Sequence, residues 1–236
     1  MPFVSSQGGV RGYGRAPTIA APTGLGGSMS FTGTTSSFLS ITNDADFRFG
    51  TGDFTIEWFQ NMTSGQLYPR PFSIGSYPAA TCAVSIESGS GSGTFYFWIG
   101  GGPNSFGSVS STGAWHHFAI TRSGTSVRVF FNGTQLGTTL TSSYDFNNTT
   151  NAVTIGNETN KSADAAFKGL ITNFNLVKGT AKYTSNFTKP AAPLTASANT
   201  KLLLLASSSG TVTTDSSAAP KTVANTGVTF SSSTPF

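Results

Sequence analysis

The only two histidines of the chain, His116 and His117, lie side by side in the segment GAWHHFAITRSG, next to Trp115. Neighbouring histidines suggest metal binding or proton transfer, because imidazole changes its charge near neutral pH. A β-strand, however, directs successive side chains to opposite faces, so both rings would not reach one metal ion. The next strand, SVRVFF, supplies no Cys or acid that would complete a metal site. We predict that the pair is structural, with one ring packed beside Trp115 and the other at the opposite surface.

Paired carboxylates would be the signature of glycoside hydrolysis, which needs two of them about 5 to 9.5 Å apart. Asp53 and Glu57 lie four positions apart, which on a strand separates them by roughly 13 Å. Asp44 and Asp46 have a suitable spacing, but the segment TNDADFRFG is interpreted as a loop leading into a strand. The sequence therefore predicts no catalytic residue, and the chain is not expected to be an enzyme.

Calcium is the one metal for which the sequence offers donors, because this ion takes six to eight oxygen ligands that usually include carboxylates. Asp44 and Asp46 in NDAD and Glu158 in GNETN are the candidates. Asn and Asp also favour turns without any metal. No cofactor is expected, with calcium at these three residues as the alternative.

Aromatic and amide side chains in predicted loops are the candidates for ligand binding, because ligand sites combine aromatic walls with a few polar groups. The polar run YDFNNTTN, at 144–151, contributes three of the six. The candidates are Tyr68, Tyr77, Phe106, Tyr144, Asn147 and Asn148.

Short runs of alternating apolar residues dominate the chain from Ser28 onward. In DFTIEWFQN the side chains of Phe54, Ile56 and Trp58 share one face. The dipeptide Asn132-Gly133, between SVRVFF and TQLGTTL, indicates a tight hairpin, since both residues tolerate positive φ angles. A dozen or so strands, with only a short helical turn predicted near KGTAKYTSNF, indicate an all-β, two-sheet antiparallel jelly-roll sandwich.

The first 27 residues show neither a strand nor a helix period and are rich in Gly, Pro, Ser and Ala. We predict an extended N-terminal arm at 1–27, followed by one domain at 28–236. Arg11, Tyr13 and Arg15 are the residues of the arm that would contact a neighbouring subunit, with simple disorder as the alternative.

Composition excludes several classes of protein. Only 9% of the residues are charged, but 37% are hydrophobic, which is enough for a core. The single cysteine, Cys82, leaves no intramolecular disulfide. The N-terminus has no basic region followed by an apolar one, so no secretory signal is expected. The longest apolar run, LLLLA at 202–206, is far too short to insert into a membrane.

The net charge of +4 is unevenly distributed. The segment from Lys161 to Lys201 contains six lysines and a single acidic residue, Asp164. This region is either a patch for an anionic partner or a set of solvated lysines that protects exposed strands from pairing. Because arginines and aromatic residues do not interleave as they do in sites that stack bases, nucleic acid is not an expected partner.

The order of the motifs resembles a known family. SMSFTGTTSSFLSITNDADFRFGTGDFTIEWF looks like the opening of laminin G-like, concanavalin A-like jelly rolls, and GAWHHFAITRSGTSVRVFFNGTQLGT resembles their most characteristic segment. The later segments, from AVTIGN to the end of the chain, are similar to a branch found in structural and appendage proteins of tailed phages and large DNA viruses. Many relatives carry an acid and an Arg where this chain has Asn173 and Asn175.

This resemblance, which covers residues 28 to 236, implies two stacked sheets with binding at rim loops or on the concave sheet. It also implies that the last 30 residues are ordered and add strands. We expect a non-enzymatic structural or surface protein of a virion, with other capsid or appendage proteins as partners and a homo-oligomeric state or a place in a large assembly. The alternative is a lectin-like protein that binds host surface glycans. A glycoside hydrolase is less favoured.

Overall fold

Fifteen β-strands and two short 3₁₀ helices make up the described part of the chain. The computed structural model describes residues 26–63, 65–87 and 92–236. Arg11, Tyr13 and Arg15 of the predicted arm lie outside the described residues. No helix in the described ranges is long and apolar enough to cross a membrane.

The larger sheet has eight antiparallel strands, and its central strand, β3, pairs with β8 on one side and β12 on the other. β12 is long enough to pair with two strands, β1 and β13, along its other edge. The strands of this sheet are β1 (Ser28–Thr32), β3 (Phe54–Met62), β8 (His116–Ser123), β9 (Ser126–Phe131), β10 (Thr134–Thr141), β12 (Lys168–Lys178), β13 (Thr200–Leu204) and β15 (Thr229–Ser231).

The smaller sheet has seven antiparallel strands in the order β14-β2-β11-β4-β5-β6-β7. Its strands are β2 (Phe38–Ile41), β4 (Phe72–Ile74), β5 (Cys82–Glu87), β6 (Ser92–Ile99), β7 (Gly102–Ser110), β11 (Val153–Ile155) and β14 (Val223–Thr226). The two sheets confirm the predicted all-β, antiparallel jelly-roll sandwich. The C-terminal strands β14 and β15 confirm that the last 30 residues are ordered.

The core lies between the two sheets and is rich in aromatic rings. Phe54, Ile56 and Trp58 of β3 face it, as their alternation predicts, and all three are fully buried. The Trp58 ring stacks on Phe118 at 5.4 Å. Because a strand directs alternate residues to one face, these three residues of β3 reach the core together.

The outer face of the larger sheet is also covered. Residues 179–199 run across it without regular secondary structure, and we call this stretch the overlay segment. The predicted short helical turn in this region is absent. Its main chain is instead held by the sheet: Thr55 Oγ1 donates to the carbonyl of Thr180 at 2.9 Å, and Thr121 Oγ1 donates to that of Tyr183 at 2.7 Å.

Two asparagines with positive φ shape this sheet. Asn132 (φ 52°) and Gly133 (φ 84°) form the predicted tight turn between β9 and β10. Asn173 (φ 52°) lies at a β-bulge in β12, where the register against β3 shifts between Thr172 and Asn175. The side chain of Asn173 accepts a hydrogen bond from the Leu194 N–H at 2.7 Å, so the bulge also anchors the overlay segment.

Candidate functional site

An open cleft lies on the outer face of the seven-stranded sheet, over β5 and β6. The loop before β4, the loop between β4 and β5, and the loop between β11 and β12 form its walls. Its volume is about 390 Å³. We call this site the aromatic cleft; it is lined by Tyr68, Arg70, Tyr77, Glu87, Trp98, Glu158, Ser162, Asp164 and Ala165.

Trp98 lies at the base of the aromatic cleft. Strand alternation puts Phe95 and Phe97 of β6 in the core and directs Trp98 to the outer face. Its indole N–H donates to Ser85 Oγ at 2.9 Å, and this hydroxyl donates to Glu87 Oε1 at 2.8 Å. The hydrogen-bonded chain fixes the orientation of both the ring and the carboxylate.

Two exposed tyrosines flank the cleft. Tyr77 is 61% exposed, and its ring meets the Trp98 ring edge to face at a centroid distance of 5.6 Å. The Tyr77 main-chain N–H donates to Glu158 Oε2 at 2.9 Å. Tyr68 is 46% exposed, and its N–H donates to the carbonyl of Asp164 at 3.2 Å. The two exposed rings and Trp98 therefore give the cleft an aromatic lining.

Arg70 is the cation of the cleft and is nearly buried. Its guanidinium lies over the Trp98 ring at 4.8 Å, and its Nε lies 3.9 Å from Glu158 Oε2. Burial lowers the pKa of Arg70, and the charges of Glu158 and Glu87 oppose this effect. Within the described residues, Arg70 Nε and Nη1 have no hydrogen-bond acceptor. The cleft therefore combines ring faces for stacking with carboxylates that accept hydrogen bonds and a guanidinium that donates them.

The structure brings together three of the residues that the sequence singled out. Tyr68 and Tyr77 were predicted as ligand-binding residues, and Glu158 was a candidate for calcium; all three line the aromatic cleft. Arg70, Glu87 and Trp98 were not predicted. The only sequence signal for Trp98 was the run TFYFW, in which aromatic residues fall on both faces of one strand.

The other predicted ligand-binding residues lie elsewhere. Tyr144 lines a second, shallower cavity of about 470 Å³ beside the β6–β7 turn. Asn147 is exposed in the loop after β10. Asn148 is buried and holds that loop together, because its Nδ2 donates to Thr81 Oγ1 at 2.6 Å and its Oδ1 accepts from the Asn151 N–H at 2.7 Å.

The prediction that Phe106 lies in an exposed loop is wrong. Phe106 belongs to β7, is 3% exposed and packs in the core. In the register of β6 with β7, Phe95 pairs with Gly107 and Tyr96 pairs with Ser105, which leaves Phe106 as the extra residue of a bulge. Asn104, two residues earlier, pairs with core-facing Phe97, so strand alternation directs the Phe106 ring to the core.

Asp44 and Asp46, the other calcium candidates, are paired with lysines. Lys221 Nζ lies 2.6 Å from Asp46 Oδ2 and 3.3 Å from Asp44 Oδ2, and Lys201 Nζ lies 3.5 Å from Asp46 Oδ1. The hydrogen bond from Lys221 lowers the pKa of Asp46. Among the described residues, no group of three or more His, Cys, Asp or Glu side chains is arranged to hold a metal ion. Calcium binding at Asp44, Asp46 and Glu158 stays a prediction.

The two histidines lie on opposite faces of β8, as the strand period predicts. The His116 ring stacks on Phe131 at 4.8 Å, and its Nδ1 lies 3.0 Å from Asn132 Nδ2. His117 is fully buried beneath the overlay segment, with its Nε2 3.3 Å from Glu57 Oε2. The acid that is missing near His117 in the sequence is therefore supplied by β3.

Glu57 is the centre of a buried polar cluster. Its Oε1 accepts from Asn175 Nδ2 at 2.9 Å and from Lys182 Nζ, and its Oε2 accepts from the Tyr183 hydroxyl at 2.9 Å. Burial would raise the pKa of this carboxyl, but its hydrogen bond with His117 and the charge of Lys182 outweigh that effect and lower the pKa to about 2. Because Glu57 is fully buried and its oxygens are occupied, the cluster holds the overlay segment onto the sheet.

The sequence of residues 32–182, more than half of the chain, matches the family model of the concanavalin A-like lectin/glucanases superfamily, in its laminin G-type branch. The chain belongs to this superfamily. The match confirms the resemblance that the order of the motifs indicated. No curated protein sequence matches the chain.

Solved structures with a similar fold include three proteins of different kinds. A candidate carbohydrate-binding protein from Bacteroides ovatus superimposes with a TM-score of 0.66 at 13% identity, over 90% of this chain and 61% of its own. A heptameric SAP-like pentraxin from Limulus polyphemus gives a TM-score of 0.60 at 13% identity, over 91% of this chain and 99% of its own. Tailspike protein 2 of the Escherichia coli O157:H7 bacteriophage CAB120 gives 0.49 at 15% identity, over 70% and 24%. At these identities the likeness shows the fold alone.

Proposed function

We propose that the chain is a non-enzymatic, lectin-like protein that binds glycans in the aromatic cleft. The observation that carries this proposal is the pair of exposed tyrosines, Tyr68 and Tyr77, beside the Trp98 ring and next to fixed carboxylates and a guanidinium. The C–H groups of a sugar ring pack against aromatic faces, and its hydroxyls both donate and accept hydrogen bonds. The superfamily and the Bacteroides ovatus relative support the same ligand class.

A glycan array followed by calorimetry tests this proposal. Tyr77→Ala and Tyr68→Ala are each expected to weaken binding of the best glycan by about tenfold, because each removes one exposed stacking surface. Leu67→Ala is the matched control: Leu67 is 55% exposed in the same loop as Tyr68 but does not line the cleft. Absence of binding across the array, or equal losses in all three variants, would contradict the proposal.

The carboxylates of the cleft support binding rather than hydrolysis. Glu87 accepts a hydrogen bond from Ser85, and Glu158 accepts one from the Tyr77 main chain while it lies beside Arg70. Glycoside hydrolysis needs one carboxyl group that holds a proton and a second that attacks or activates water. Release of reducing sugar from a bound glycan, abolished by Glu158→Gln, would overturn the non-enzymatic assignment.

We further propose that this binding takes place on the surface of a virus particle, where the chain contacts other capsid or appendage proteins. The support is the order of motifs over residues 28–236, which resembles a branch found in structural and appendage proteins of phages and large DNA viruses. Mass spectrometry of purified particles is expected to detect the chain as a stoichiometric component. Detection only in the unassembled fraction of infected cells would contradict a virion location.

A further inference from the structure

The charge in the aromatic cleft is opposite in sign to that of the whole protein. The chain carries a net charge of +4, yet among the described residues three carboxylates, those of Glu87, Glu158 and Asp164, and only one cation, Arg70, line the cleft. A negatively charged cleft in a basic protein is therefore a local feature. It disfavours an anionic ligand and favours a neutral or cationic one.

The three carboxylates are not equally compensated. Arg70 forms an ion pair with Glu158, and its charge interacts with Glu87 only at longer range. Asp164 is exposed at the cleft wall, and neither it nor Glu87 forms an ion pair in the described ranges of the chain. Two carboxylates therefore stay available for a cation that enters the cleft.

Arg70 sets a second requirement for a ligand of the cleft, in addition to a positive charge. It is 4% exposed, and its Nε and Nη1 have no acceptor within the described residues. A buried donor without a partner is unfavourable, and an oxygen atom of a ligand beside it would remove that penalty. A ligand that satisfies the cleft therefore carries both a cation for the acids and oxygens for Arg70. A simple alkylammonium group meets only the first condition.

We infer that the ligand of the aromatic cleft is a glycan that carries protonated amino groups, such as an oligomer of a hexosamine without its acetyl groups. This inference rests on the proposed function of the same cleft. The sugar ring packs against Tyr77 or Tyr68, its ammonium group lies near Asp164 and Glu87, and its hydroxyls accept hydrogen bonds from Arg70. Charge-assisted hydrogen bonds are roughly twice as strong as neutral ones, so the amino group dominates selectivity.

Calorimetry at pH 6 with β-1,4-linked tetrasaccharides of equal length tests the inference. The ligands are the tetramers of glucosamine, N-acetylglucosamine, glucose and glucuronic acid. The glucosamine tetramer is expected to bind about tenfold more tightly than the two neutral tetramers, and the glucuronic acid tetramer is expected not to bind. In 0.5 M salt the preference is expected to shrink, because at least one of the acids is exposed and screened.

Variants that remove negative charge from the cleft test which carboxylates cause the preference for the glucosamine tetramer. Glu87→Gln combined with Asp164→Asn is expected to reduce the preference for the glucosamine tetramer over the two neutral tetramers to within about twofold. Asp145→Asn is the matched control, because Asp145 is an exposed carboxylate that does not line the cleft. An unchanged preference in the double variant would overturn the inference.

The outcomes separate the inference from the function on which it rests. Equal or tighter binding of a neutral or anionic tetramer, lost in Tyr77→Ala, would overturn the charge preference and leave the lectin-like function standing. No binding of any tetramer would overturn both. Tighter binding of a lysine-rich peptide than of the glucosamine tetramer, lost in Tyr77→Ala, would assign the cleft to a protein partner. It would overturn the assignment of a glycan as the ligand.

Discussion

Glu57 links the overlay segment to the larger sheet through a buried polar cluster. It is fully buried between His117, Lys182 and Tyr183, and removing one member of such a cluster leaves the others buried without their partner. We expect Glu57→Ala to lower the free energy of unfolding in urea by about 3 kcal/mol or more. The control Asp145→Asn, at an exposed position, is expected to change it by less than about 0.5 kcal/mol. Equal effects of the two variants would contradict a structural role for the cluster.

The same carboxylate makes the free energy of unfolding depend on pH. The pKa of Glu57 is lowered from an ordinary value of 4.5 to about 2 in the folded protein, so the unfolded chain takes up a proton first as the pH falls. The stabilisation is complete above about pH 4.5 and is lost as the pH falls toward 2. The loss amounts to about 3 kcal/mol.

Glu57→Gln is expected to remove this part of the pH dependence, because the amide does not titrate. The measurement is the free energy of unfolding of both proteins at several pH values between 2 and 6, and the informative quantity is the difference between their slopes. Identical slopes would show that other acids, such as Asp46, account for the acid sensitivity.

Single residues also show where prediction from sequence succeeded and failed. The exposure of Tyr68 and Tyr77 could be predicted, because both are large aromatic residues in loops and loops usually run over the surface; their role in ligand binding stays a prediction. Arg70 and Trp98 could not be assigned to a site, because only the pairing of β4, β5 and β6 brings their elements together. Phe106 was assigned wrongly, because the segment GPNSFGSVS is rich in turn-forming residues and was interpreted as a loop, whereas it pairs with β6 as strand β7.

At the scale of elements, the overlay segment and the β9–β10 turn form one unit. A Cβ atom on Gly133 would lie 2.0 Å from the carbonyl oxygen of Phe187, so the overlay segment needs glycine at this position of the turn. Gly124, in the β8–β9 turn, has a similar positive φ but no atom within 4 Å of its Cβ position. Substitutions at the two glycines therefore distinguish the cost of the steric contact with the overlay segment from the cost of the left-handed backbone.

We expect Gly124→Ala to lower the free energy of unfolding by about 1 kcal/mol, the cost of a left-handed backbone for alanine. Gly133→Ala carries the same cost and in addition displaces the overlay segment, so its total is expected to reach about 3 kcal/mol. Urea unfolding of the two variants side by side gives the comparison. Losses of equal size would mean that the overlay segment contributes little to stability.

The overlay segment was also the element that sequence reasoning described least well. A helical turn was predicted near KGTAKYTSNF, but the hydrogen-bonding groups of this main chain bind side chains of the sheet. Hydrogen bonds with polar side chains of the outer face, such as those of Thr55, Thr121 and Asn173, take the place of the internal hydrogen bonds that a helix would form. The strand period predicts which face these residues occupy but not that a third layer covers that face.

For the whole molecule, the described strands begin at β1. This strand starts at Ser28 and pairs with β15, an edge strand of the larger sheet near the C-terminus. We expect deletion of residues 1–25 to change the melting temperature by less than about 2 °C, as for a change outside the core. Differential scanning calorimetry measures this, and a large drop would show that these residues belong to the core.

The same deletion tests the predicted anchoring role of the arm. If Arg11, Tyr13 and Arg15 contact a neighbouring subunit, the shortened chain folds but is not incorporated into particles, as quantified in purified particles. A triple substitution of these residues by alanine is the finer variant and is expected to give the same result. Normal incorporation of both variants would contradict the anchoring hypothesis.

The class of fold followed from the amino-acid sequence alone, because alternation, turn residues and the absence of helical periods are local properties of strands and hairpins. The placement of His116 and His117 on opposite faces followed in the same way. The loops that share one cleft, and the acid that meets His117, became known only from the folded chain. Sheet order and register bring together residues far apart in the sequence, and no local pattern records that pairing.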